Sequence, residues 1–105
     1  MLSKAVGPTG YFSLSSTTGT FVVTTTEVGD LLGTLNQTLP PRKVRIAVTG
    51  QPAVINFGSK IANNNSDILM PPGHVEHFAI NTTTVTFVEV SGGGGNGWIS
   101  ITPVA

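Results

Sequence analysis

Cysteine is absent from the chain, which removes disulfide frameworks, thiolate metal sites and thiol nucleophiles together. The redox compartment stays open, because a chain without thiols suits reducing and oxidising surroundings alike. Charge is scarce too: Asp, Glu, Lys and Arg form 10% of the residues, against about 25% in an average globular chain. Five basic residues balance five acidic ones, which argues against nucleic acid as a partner. No run approaches the ~20 apolar residues of a membrane helix. Met1–Gly7 carries one lysine and meets Pro8 before the apolar stretch of a secretory leader can build, so the expectation is a protein free of the membrane and made where it is used. Helix signals are also few, with little Ala, Glu, Lys or Leu in i, i+3, i+4 arrays.

What is present is Val, Ile, Thr and Phe, which fit pleated, half-buried strands. At 105 residues the chain has the size of one domain. Turn residues recur at the eight-to-twelve-residue spacing of a sandwich or barrel. The pattern predicts strands over 11–15, 20–26, 31–36, 43–49, 53–58, 67–70, 75–80, 84–90 and 98–102, with turns such as Val28-Gly29-Asp30 and Gly50-Gln51-Pro52 between them. Alternation is clearest from Lys43 to Thr49, where Val44, Ile46 and Val48 share one face and Lys43, Arg45 and Ala47 the other. Residues 84–90 keep no clean period, which predicts either burial on both faces or a β-bulge. Residues 1–10 read as an N-terminal arm, with Gly7, Pro8 and Gly10 interrupting regular pairing, and residues 11–105 as one domain.

Few residues could carry chemistry. Gly92–Gly97 spells G-x-G-x-x-G, but a strand follows it where a dinucleotide site needs a helix N-terminus, so it reads as a hairpin loop and no cofactor is expected. His74, Glu76 and His77 are the nearest thing to a metal or acid–base cluster. In a strand His74 and His77 diverge while His74 and Glu76 share a face, and two ligands do not make a tetrahedral site, so no metal is expected. Five scattered carboxylates and no nucleophile-elbow motif point away from catalysis. Arg42, Lys43 and Arg45 gather three of the five basic residues, more simply a solvated face or a contact to an acidic neighbour than a phosphate strip. Most aromatics belong in a core, but Trp98, at a strand start beside the glycine loop, could either pack under that loop or anchor a partner.

The stretch from Val44 onward resembles small virion structural proteins of tailed bacteriophages. The residues that carry the resemblance are Val44, Ile46 and Val48; Phe57-Gly58-Ser59; Met70-Pro71-Pro72-Gly73; Val75-Glu76-His77-Phe78; and Ile101-Thr102-Pro103. The resemblance implies a capsid decoration (cement) protein, an antiparallel β-sandwich of jelly-roll or Ig-like form, located on the virion and assembled in the host cytoplasm. It implies the major capsid protein or another virion protein as partner, a homo-oligomer with a trimer favoured, and no catalytic residues. With eight or nine strands available, a jelly roll is expected over an Ig-like sandwich. Lys43, Arg45, His74, Glu76 and Trp98 are the candidate partner contacts. The rival expectation is a carbohydrate- or receptor-binding module, with Trp98 and Tyr11 as the aromatic platform and the Asn63–Asn65 loop supplying amides.

An all-β reading has a direct check. The far-UV circular dichroism spectrum should be β-dominated, and a helix content above about a quarter of residues, near the ~30–35% globular average, would contradict it.

Overall fold

A computed structural model describes residues 5–24, 27–29, 36–38, 43–58, 68–90 and 96–104. Ten strands follow in order: β1 (Gly10–Ser13), β2 (Gly19–Val22), β3 (Glu27–Gly29), β4 (Asn36–Thr38), β5 (Lys43–Thr49), β6 (Ala53–Phe57), β7 (Ile68–Met70), β8 (His74–Ala79), β9 (Thr84–Glu89) and β10 (Trp98–Pro103). The chain is all-β over the described residues, a sandwich of two antiparallel four-stranded sheets. The first runs β1-β10-β5-β8 and the second β2-β9-β6-β7, while β3 and β4 pair only with each other.

The pairing is nested. β1 meets β10, β2 meets β9, β5 meets β8 and β6 meets β7, all antiparallel, so the first half of the chain lies against the second half in reverse. Two further pairings, β10 with β5 and β9 with β6, close this long ladder into two sheets. The chain passes between the two sheets from β1 to β2, from β5 to β6 and from β7 through to β10, and both sheets turn one apolar face inward.

That inward layer follows from the period of two along each strand. On β5, Val44, Ile46 and Val48 are fully buried between exposed Lys43, Arg45 and Thr49. Register sets Ile99 and Ile101 of β10 beside them. Facing them from the second sheet are Ala53, Ile55, Met70, Val85 and Phe87. Phe12 of β1 bridges the sheets, its ring centroid 5.6 Å from that of Phe21 and 5.0 Å from that of Phe87. Phe57 and Phe78 do the same farther along, at 5.2 Å. Fully burying one such aliphatic side chain stabilises by about 1.5–3 kcal/mol, so this layer dominates the fold's energetics.

β9 resolves its irregular pattern without a bulge, since its register with β6 and with β2 is unbroken. Val85 and Phe87 point inward, and Thr86, on the outward side, is buried too, with its hydroxyl donating to the Asn56 carbonyl at 3.3 Å. Two expectations are corrected. The turn placed at Val28 and Gly29 is strand, since Val28 pairs with Gln37 and Gly29 with Asn36; of the strand expected over 31–36, residues 31–35 lie outside the described residues. Arg42 and Gly92–Gly95 also lie outside them.

The second correction concerns the N-terminal arm. From Ala5 on it is joined to the sandwich: Ala5 bridges Val104, the Val6 N–H donates to the Pro103 carbonyl at 2.9 Å, and the Thr9 and Thr102 hydroxyls lie 2.8 Å apart. Gly10 already belongs to β1. Gly7, read as a breaker of pairing, is instead a point of close approach, where a Cβ would fall 2.1 Å from the Thr24 carbonyl oxygen and 2.7 Å from the Pro103 ring. Deleting residues 1–9 should therefore lower stability by about 1–4 kcal/mol, the sum of a few hydrogen bonds at ~0.5–1.5 kcal/mol each. Urea denaturation measures it, and an unchanged midpoint would restore the segment to a free arm.

Candidate functional site on the outer face of the first sheet

Because the even-numbered residues of β5 face inward, its odd-numbered residues and their cross-strand neighbours form the outer face of the first sheet. One row across the four strands reads Tyr11, Ser100, Ala47, Val75. The row on one side holds Ser13, Trp98 and Thr49. On the other side come Thr102, Arg45 and His77, and beyond them Lys43 beside Ala79.

Two aromatic rings stand together on this face. Tyr11 and Trp98 are diagonal neighbours across the β1–β10 pair, their centroids 4.8 Å apart and their planes within 9° of parallel. Tyr11 is 63% exposed and Trp98 41%. Across the row from Tyr11 toward the far edge lie the small side chains of Ser100 and Ala47 and then Val75, 54% exposed, with Thr49 beside Trp98.

Local structure fixes the start of β10 that carries Trp98. Gly50, just after β5, has φ 83° and sits so close to the chain before Trp98 that a Cβ would meet the Asn96 carbonyl oxygen at 2.5 Å. Asn96 itself turns the chain with φ 70°, and the Leu14 N–H donates to the Gly97 carbonyl at 2.8 Å, tying the end of β1 to the same point. The start of β10 at Trp98 is thus set against two segments distant in sequence, the end of β1 and the turn after β5.

The expected partner contacts divide between two surfaces. Lys43, Arg45 and Trp98 share the outer face, where the structure adds Tyr11, Val75 and His77. His74 and Glu76 sit on the opposite side of β8, in line with the inward residues Val48 and Ile46, at the sheet edge. Their side chains, each 46% exposed, meet at 2.6 Å between Nε2 and Oε1. An exposed pair of this kind contributes about 0–1 kcal/mol. His77 faces away from it, as the strand period requires. Among the described residues no three of His, Cys, Asp and Glu come together as a metal would need, and no helix is long and apolar enough to cross a membrane.

Comparison of the chain with protein-family models, with curated proteins and with solved structures finds no match.

The stack can be measured as a pair. A double-mutant cycle with Tyr11→Ala and Trp98→Ala should give a coupling of about 0.5–1.5 kcal/mol in unfolding free energy, as stacked aromatics do. A coupling of zero would mean that the rings do not hold each other.

Proposed function

We propose that the chain is a non-enzymatic virion structural protein of the decoration type, which attaches to a capsid or other virion protein through the outer face of its first sheet. One observation carries the reading: an exposed Tyr–Trp stack that shares a four-stranded face with Arg45, with the small side chains of Ser100 and Ala47 beside it. Tyr, Trp and Arg are the residues over-represented where protein interfaces concentrate their energy.

The strand order supports a jelly roll over an Ig-like sandwich. A ladder paired first with last and rolled so that β10 also meets β5 gives the nested order found here, whereas an Ig-like domain does not pair its strands in that sequence. Jelly rolls serve in viral shells, and the residues resembling phage virion proteins fall on β5, β6, β7, β8 and β10 and their turns. Attachment would act by mass action: a copy that binds only the assembled shell shifts the equilibrium toward that shell. A homotrimer is the assembly the resemblance favours.

A carbohydrate-binding module is the second reading, favoured by the same exposed aromatics. The stack already uses one face of each ring, so a sugar would have only the remaining faces. Purified particles lacking the protein separate the two readings. They should lose resistance to heat and regain it when the protein is added back, and Trp98→Ala should abolish the rescue. Particles indifferent to the protein, with glycan-array binding that Trp98→Ala abolishes, would replace attachment by sugar recognition.

A further inference from the structure

The outer face of the first sheet is chemically one-sided. Its described charges are Lys43 and Arg45, and among its described residues there is no carboxylate, although the whole chain has net charge zero. Glu76 projects from the other side of β8, and Glu89 lies on the inward side of the second sheet, opposite Ala53. The face therefore joins an aromatic end to a cationic end.

The separation of those ends follows from the register. Tyr11 is two strands and two residues from Arg45, and Trp98 is one strand and four residues from it. With strands ~4.8 Å apart and ~3.4 Å per residue, both separations come to about 12–14 Å. An extended chain covers that distance in four residues, and residues four apart in it project to the same side.

We propose that this face docks an acidic, extended segment of the partner protein, with an apolar side chain of that segment at the Tyr11–Trp98 stack and a carboxylate four residues along it at Arg45 and Lys43. This rests on the attachment reading above and names the partner's chemistry. A second copy of the chain fits less well. Four strands by six residues give a face of roughly 400 Å², about half of the ~800 Å² per partner in a standard interface. Face-to-face pairing would also bring two sets of cations together with no acid between them.

The test uses a capped, fluorescein-labelled Ser/Thr peptide with one Leu and one Glu four residues after it, against the full chain at low salt. Trp98 is the single tryptophan, so its emission reports binding at the stack while peptide anisotropy reports affinity. Saturable binding that perturbs Trp98 emission is expected. It should weaken about tenfold or more in Arg45→Glu and in Trp98→Ala, in line with loss of a residue worth over 1 kcal/mol. It should fall with added salt, and Thr20→Glu, on the exposed side of β2, should leave it unchanged. Arg45 is exposed and outside the core, so its variant keeps the fold, as circular dichroism would verify.

No binding, equal binding of a peptide with Lys in place of Glu, or a Trp98 response to polygalacturonate but not to the peptide would each overturn the proposal. Self-association on sedimentation that Trp98→Ala abolishes would instead assign the face to a second copy. Particle attachment that survives Arg45→Glu would sink the acidic segment and leave the attachment reading standing. Peptide binding without particle attachment would do the reverse.

Discussion

Burial of one continuous apolar layer between β5 with β10 on one side and β6 with β9 on the other is the constraint on which the rest of the molecule depends. Val44, Ile46, Val48, Ile99 and Ile101 meet Ala53, Ile55, Val85 and Phe87 there, and all are buried. β5 and β10 are central in the first sheet, β9 and β6 in the second, so the layer is also where the long-range pairings converge. With the inner faces committed in this way, every residue of opposite parity on the same strands must face outward. The exposed positions of Trp98, Arg45 and Lys43 are thus a direct consequence of core packing. A slip of one residue in β10 against β5 would turn Trp98 inward and Ile99 out, and would cost several buried aliphatic side chains.

The two outer faces are not alike. On the second sheet Val54 and Thr86 face outward yet are buried, while on the first Tyr11, Trp98 and Val75 face outward and are open. Thr102 is covered on that face because Thr9 reaches it. The N-terminal residues therefore cap one end of the first sheet and leave the aromatic end bare. An exposed aromatic pair is an unusual arrangement for a chain with so little charge, and the attachment proposed above would give it a physical reason.

Legibility in the sequence tracked the range of the interactions. β5 could be read residue by residue, because its alternation is local and its ends are marked by charged and turn residues. His74 and Glu76 were placed on one face by the same parity, and the two side chains do meet. The all-β class and the sandwich were legible from composition and turn spacing. Trp98 and Tyr11 were paired only as the platform of a sugar-binding reading; their stack was not legible, since it joins residues 87 positions apart and arises only when β1 pairs with β10. The attachment of Ala5, Val6 and Thr9 to β10 escaped for the same reason: Gly7 and Pro8 look like punctuation locally, and only the fold shows that Gly7 is there for close approach to Thr24. Glu27–Gly29 carries no strand signal of its own, and its pairing comes from the segment around Gln37.

The central claim is that the outer face of the first sheet, and not that of the second, is the surface this protein uses. Hydroxyl-radical footprinting of the protein, free and mixed with the virion particle that the proposed function requires, compares the two directly. The account predicts that Tyr11 and Trp98 lose most of their oxidation on binding while Val22 and Leu69, exposed on the second sheet, keep theirs. Protection of Val22 and Leu69 with Tyr11 and Trp98 still reactive would contradict it.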